Sequence, residues 1–123
     1  MAFKVLIVED SRATREFLAA AVEVVAEVEV FQSPSGFDAL KLLPRHRFDL
    51  IITDINMPDI NGLELVNFVK KNPQYRNTPL FIVSTESSDQ DRARGLALGA
   101  CEYLTKPFAA DQLSVLVRRY LNG

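Results

Sequence analysis

Four short apolar runs, each breaking on a polar or charged residue, constrain this chain more than any other feature. Lys4 to Val8 breaks on Glu9-Asp10, and Leu50-Ile51-Ile52-Thr53 breaks on Asp54. Pro79 to Ser84 (PLFIVS) breaks at its own serine, and Cys101 to Thr105 breaks on Lys106-Pro107. Such a run, without alternating polar positions, reads as a strand buried on both faces. Burial on both faces requires helices on both sides of a parallel sheet. The run before Asp54 is the most sharply bounded. Phe48 to Gly62 reads FDLIITDINMPDING, so the apolar segment gives way at once to Asn56, Pro58, Asp59, Asn61 and Gly62. Those residues mark a loop.

Between the runs lie stretches of helical period. Phe17, Leu18, Ala21, Val22 and Val25 predict an amphipathic helix of about three turns, with Ser11 able to cap it. Val28 to Phe31 alternates like a short strand near an edge. Ser33-Pro34-Ser35-Gly36 starts a second helix, with Phe37, Leu40 and Leu43 on one face and Pro44 as its stop. Gly62 starts a third, carrying Leu65, Val66 and Val69 inward. Lys70-Lys71 suit the negative end of its dipole, and Asn72-Pro73 terminates it. Glu86 to Asp91 opens a fourth, with Ala93, Leu96 and Ala97 as its apolar positions and Gly99 as its closing residue. Gly95 weakens that helix. Leu113, Leu116, Val117, Tyr120 and Leu121 mark the fifth. The order is strand then helix, five times over. Right-handed crossovers then give a single doubly wound α/β domain over residues 1–123.

Composition narrows the function classes. The chain has 123 residues, 48% of them apolar, and a net charge of −2. That is enough chain for one core without staples. Cys101 stands alone, so no intrachain disulfide can form, as suits a reducing cytoplasm. No apolar run approaches the ~18 residues of a membrane span. The N-terminus enters a strand pattern directly, without the charged and apolar regions of a leader. No basic run predicts nucleic-acid binding.

Parallel strands put their C-terminal ends on one edge, where open α/β sheets bind ligands. Glu9-Asp10, Asp54, Ser84 and Lys106 all fall there. Alone, Asp54 is either a loop cap or a chemical group. Three neighbouring carboxylates repel one another and need a countercharge. A hard divalent cation such as Mg2+ supplies one through oxygen ligands and bridges carboxylates to a phosphate. Lys106 adds a positive charge for an anion, and Ser84 a hydroxyl. The set suits phosphoryl transfer, in which aspartate is a covalent nucleophile.

These residues closely resemble the receiver domains of two-component response regulators. The likeness rests on the pair Glu9-Asp10, on Asp54 in TDINMPDINGLEL, on Ser84 in PLFIVSTES and on Lys106-Pro107-Phe108 in YLTKPF. It runs from Phe3 to Leu121. It implies a flavodoxin-like (βα)5 fold with a five-stranded parallel sheet of order 2-1-3-4-5. It also implies that Asp54 takes a phosphoryl group from a phosphohistidine on a sensor histidine kinase or phosphotransfer domain. Glu9, Asp10, Asp54 and the backbone carbonyl of Asn56 would bind Mg2+, with Mn2+ as a substitute. Ser84 and Lys106 would bind the phosphoryl oxygens. Tyr103 would turn inward as a switch, reshaping the face of the fourth helix, fifth strand and fifth helix for a downstream protein. Lys106-Pro107 would be a cis peptide, and Asn56 and Glu86 would tune dephosphorylation. The chain would catalyse only its own phosphorylation and dephosphorylation, as a monomer or a phosphorylation-dependent dimer, without contacting nucleic acid or entering a membrane.

The sequence departs from the family pattern in places. Serine stands at 84 where threonine is commoner, and Glu9 where aspartate is. Cys101-Glu102 and Leu116 replace two acidic residues and an arginine usual in receivers of winged-helix transcription factors, which weighs against that subgroup's dimer. The absence of a further pattern after the fifth helix fits a stand-alone, chemotaxis-type regulator, or a receiver from a longer chain. Three rival readings have distinct signatures. An aspartate-nucleophile phosphatase needs a second aspartate where Asn56 stands. An FMN binder needs a phosphate loop where Glu9-Asp10 stand. A receiver-like binding module that is never phosphorylated has no need of the whole set. Elsewhere bland roles are expected: Cys101 in packing, and His46, Arg45, Arg47, Arg92, Arg94, Arg118 and Arg119 solvated.

Overall fold

The computed structural model describes residues 2–25 and 27–122. Its strands form where the apolar runs predict them: β1 at Phe3–Val8, β2 at Val28–Ser33, β3 at Leu50–Asp54, β4 at Leu80–Ser84 and β5 at Glu102–Thr105. All neighbours are parallel, in the order β2-β1-β3-β4-β5. Side chains alternate across a strand, so the runs feed two cores at once. Val5, Ile7, Leu50, Ile52, Phe81 and Val83 face one side. Leu6, Val8, Ile51, Leu80 and Ile82 face the other.

Helices cover both faces. On the first lie α1 (Arg12–Glu23) and α5 (Ala110–Asn122), through Leu18, Val22, Leu113 and Val117. Ser114 Oγ fastens them by donating to the Ala21 carbonyl at 2.7 Å. On the second lie α2 (Gly36–Leu42), α3 (Gly62–Lys71) and α4 (Asp89–Ala97). Ser11, Ser35, Asn61 and Ser88 cap the first four helices, each accepting an amide N–H from the first turn. Those caps satisfy donors that the helix itself leaves unpaired. Among the described residues no helix is long and apolar enough to cross a membrane.

Three local expectations are corrected. On α4, Ala93, Leu96 and Ala97 are exposed, and the buried residue is Gly95. A Cβ there would lie 2.7 Å from Ile82 Cδ1 and 3.1 Å from Tyr103 Cδ2. The helix therefore docks by backbone approach, which hydrophobic periodicity does not register. On α2, Phe37 is 58% exposed while Ala39 and Leu43 are buried: two positions span about 200° of helix, so the face that buries Ala39 turns Phe37 outward. His46 is half-buried rather than solvated. Its ring lies 4.3 Å from that of Phe31 and 5.6 Å from that of Phe48.

Candidate functional site

The sheet register gathers the polar strand ends. Val8 pairs with Thr53, Asp54 with Val83, and Ser84 with Thr105. The residues that follow these strands therefore converge at the crevice where connections leave β1 and β3 in opposite directions. Glu9, Asp10 and Asp54 each offer a carboxylate oxygen, and these atoms lie within 4.8 Å of one another. Glu9 and Asp54 are buried, whereas Asp10 is exposed. Lys106 Nζ reaches in from the end of β5, 2.8 Å from Glu9 Oε1 and 3.6 Å from Asp54 Oδ1. Three carboxylates thus face one ammonium.

Local bonds fix each group. Ser11 N–H donates to Glu9 Oε2 at 3.1 Å, and the Arg15 guanidinium to the Glu9 carbonyl at 2.8 Å. Ile55 N–H donates to Asp54 Oδ1 at 2.8 Å. Lys106 N–H donates to the Ser84 carbonyl at 2.7 Å, and the Lys106-Pro107 peptide is cis. Burial pushes the Glu9 carboxyl above its ordinary value, the Lys106 hydrogen bond pulls it back, and the Asp54 charge adds to the rise. The site holds more negative charge than its one lysine balances.

A small hard cation fits that imbalance. The three carboxylate oxygens converge within 4.8 Å of one another, close enough for one small cation to draw on all of them. The exposed Asp10 leaves one side open to water. The fit therefore rests on the donor set: oxygen only, anionic, converging and partly open.

Beside the cluster, the turn after β4 makes a second arrangement. Ser84 is fully buried, and its Oγ accepts the Glu86 N–H at 3.0 Å. The Glu86 carbonyl accepts the Tyr103 hydroxyl at 2.7 Å. The Glu86 carboxylate accepts from Asn56 Nδ2 at 3.3 Å. One residue thus joins Ser84, Asn56 and Tyr103. Tyr103 lies inward, 5% exposed, and burial raises its hydroxyl pKa.

Sequence reasoning passed over four contributors. Arg15 holds the Glu9 backbone one helical turn away. Gly62 closes the loop after Asp54, its N–H donating to the Ile55 carbonyl at 2.8 Å. A Cβ at 62 would collide with the Asp54 carbonyl oxygen and lie 2.7 Å from Ile55 Cα. Asp59 accepts from Gly36 N–H at 3.2 Å and Phe37 N–H at 2.9 Å, tying this loop to the start of α2. The amide bonds lower its carboxyl pKa to about 2. Arg92 is no free surface charge: it donates to the Tyr103 carbonyl at 3.1 Å, and its guanidinium stands 5.4 Å over that ring. Only Gly62 carried a signal, a glycine opening a helix directly after a loop.

A concavity of about 720 Å³ lies at the opposite edge of the sheet, lined by residues including Arg45, His46, Phe48, Tyr75 and Pro79. None of the clustered carboxylates lines it. The acidic site therefore suits a group delivered from outside rather than a small substrate enclosed in a cavity.

Comparison with known proteins agrees with this geometry. A family model described as the response regulator receiver domain matches residues 5–118. The solved structure of the chemotaxis response regulator CheY4 of Vibrio cholerae is 36% identical, with a TM-score of 0.89 over 98% of this chain and 100% of that one. The response regulator ArlR of Staphylococcus aureus is 35% identical, covering 96% of this chain and 52% of its own length. Protein PilG of Pseudomonas aeruginosa is 29% identical, covering 96% and 87%. The chain spans about half the length of several curated relatives, 49%, 54% and 48% for three transcriptional regulators.

Proposed function

The chain belongs to the response regulator receiver domain family, and from that premise we propose that Asp54 is a phosphoacceptor loaded by a histidine kinase or phosphotransfer domain. The observation that carries this reading is the placement of Lys106 against both buried carboxylates of a three-carboxylate cluster. An Asp54 carboxylate oxygen attacks the phosphorus of a phosphohistidine. The new P–O bond forms as the P–N bond breaks, and the imidazole nitrogen leaves with the electron pair and takes up a proton. Glu9, Asp10, Asp54 and the Asn56 carbonyl would hold Mg2+, or Mn2+ in its place, which when bound would supply positive charge against the transferring group.

The remaining residues act on the product. Lys106 swings from Glu9 to a phosphoryl oxygen, and Ser84 donates its hydroxyl to another. Asn56 and Glu86, joined at the mouth, hold or exclude the water that attacks the acyl phosphate, whose hydrolysis resets Asp54. Tyr103 and the face of α4, β5 and α5 carry the state to a downstream protein. The chain acts as a single receiver unit in the cytoplasm, without nucleic-acid contacts of its own, as a monomer or a phosphorylation-dependent dimer. It turns over no substrate beyond its own phosphoryl group.

Incubation with a small phosphodonor and Mg2+, followed by intact-protein mass spectrometry, tests the reading. A base-labile phosphoryl adduct is expected, lost with a chelator and in Asp54→Asn. A folded protein that takes no adduct would be a receiver-like binding module instead.

A further inference from the structure

The loop between β3 and α3 carries Asn56, the carbonyl ligand of the proposed metal site. Its base is closed: Ile55 N–H donates to Asp54 Oδ1 at 2.8 Å, and Gly62 N–H donates to the Ile55 carbonyl at 2.8 Å. Its outer part rests on α2. Asp59 Oδ1 accepts the Gly36 N–H at 3.2 Å, and Oδ2 accepts the Phe37 N–H at 2.9 Å. At the same place a Cβ on Gly36 would lie 2.7 Å from Ile60 Cβ, so helix and loop also meet by close approach. Ser35 caps α2 through the Asp38 N–H at 3.1 Å and leaves the Gly36 and Phe37 amides to Asp59. Asp59 is exposed, so the tether is made by its two oxygens rather than by packing.

We propose that Asp59 is a positioning residue for the metal site, tying the loop to α2 so that the Asn56 carbonyl keeps its place relative to Glu9, Asp10 and Asp54. The proposal rests on the reading of Asn56 as a metal ligand. Only Met57 and Pro58 separate Asn56 from Asp59, and the proline ring fixes one of the torsions between them. Little slack is left, so a tether at 59 is felt at 56. On its other side Asn56 is joined to Glu86 by one side-chain bond of 3.3 Å, at the weak end for such a contact. With the tether cut, the loop keeps its closed base while its outer part shifts, and the carbonyl shifts with it.

Groups that orient a metal's ligands change its affinity by about 10–100-fold, and an exposed tether belongs at the lower end. Asp59→Ala removes both acceptors and should weaken Mg2+ binding about tenfold. Asp59→Asn keeps one acceptor oxygen, so it should lie between, about threefold weaker than wild type. Ser35→Ala removes the other cap of the same helix end without touching the loop. It should lower the melting temperature and leave Mg2+ affinity unchanged.

The test titrates Mg2+ into the nitrogen-15-labelled chain and follows the backbone amides of residues 54 to 56 by NMR, which reads binding without phosphorylation. It is repeated in about 1 M potassium chloride, where the Debye length is about 3 Å and an exposed charge is screened. Melting by circular dichroism shows which variants fold, and Asp59→Asn decides alone should Asp59→Ala not fold. Intact mass over a Mg2+ series with a small phosphodonor gives a second readout. Asp59→Ala should need more Mg2+ for half-maximal labelling and still reach the wild-type plateau. The expected order of affinity is wild type, Asp59→Asn, Asp59→Ala at both salt concentrations, with Ser35→Ala equal to wild type. Equal affinity in wild type and the folded Asp59 variants overturns the proposal. So does a difference that vanishes at high salt, which makes Asp59 a remote charge, or an equal loss in Ser35→Ala, which makes it a helix cap alone. A chain that binds Mg2+ in the expected order but takes no phosphoryl group keeps the positioning role and rejects the phosphoacceptor reading. A folded wild type that binds no Mg2+ rejects both.

Discussion

Replacing Lys106 with methionine keeps most of the stem and removes the charge. In the folded chain that charge lies 2.8 Å from Glu9, which is 1% exposed at its side chain, while Lys106 itself is 20% exposed. A hydrogen bond to a charged group contributes about 1.5–3 kcal/mol, and stripping one partner from a buried pair costs about 3–5 kcal/mol. The partial exposure of Lys106 puts the loss at the lower end, about 2 kcal/mol near neutral pH.

The loss should depend on pH in a definite direction. Burial already raises the Glu9 carboxyl above 4.5, and Lys106 opposes that rise. Without Lys106 the folded-state value climbs further, while the unfolded value stays put. A carboxyl raised in the folded state carries its full penalty above the folded pKa and sheds it as pH falls toward the unfolded value. Lys106→Met should thus be most destabilised near neutral pH and approach wild type as pH falls to the ordinary glutamate value of 4.5. Urea unfolding followed by far-UV circular dichroism measures this in a chain without tryptophan. Comparing the variant with wild type at each pH cancels the titration of other carboxylates. A loss that is equal at both pH values, or larger in acid, would refute the buried pairing of Lys106 with Glu9.

Two further outcomes follow from the loop after β3. Gly62→Ala should lower stability by about 3 kcal/mol or more, because its Cβ meets backbone that cannot yield; a melting curve like that of wild type would show that this loop adapts. Asp59→Ala should expose the Gly36 and Phe37 amides to faster hydrogen exchange. Because the folded Asp59 pKa is lowered to about 2 from 3.8, its contribution is complete above about pH 4 and fades as pH falls through 2. Equal exchange in variant and wild type at neutral pH would remove Asp59 from the cap.

Much of this molecule is legible in its sequence because its signals are local. The strand ends at Glu9, Asp54, Ser84 and Lys106 follow from apolar runs and what breaks them, and parallel pairing does the rest. What stayed hidden depends on approach rather than polarity. Gly95 packs through the lack of a side chain, so Ala93, Leu96 and Ala97 drew the prediction to the wrong face of α4. Phe37 is exposed because it lies across α2 from the buried Ala39. His46 looked polar among arginines yet lies against Phe31 and Phe48. Arg92 and Asp59 act across more than ten residues of sequence, on Tyr103 and on the start of α2, and no spacing rule links such pairs.

The central claim concerns one atom pair, the bond between phosphorus and an Asp54 oxygen. Borohydride reduces an aspartyl phosphate to homoserine, which peptide sequencing by mass spectrometry locates. After treatment with phosphodonor and Mg2+, the account predicts reduction at position 54, absent when either reagent is withheld. Reduction at Asp10 or another carboxylate instead, or at none in the folded protein, would contradict it.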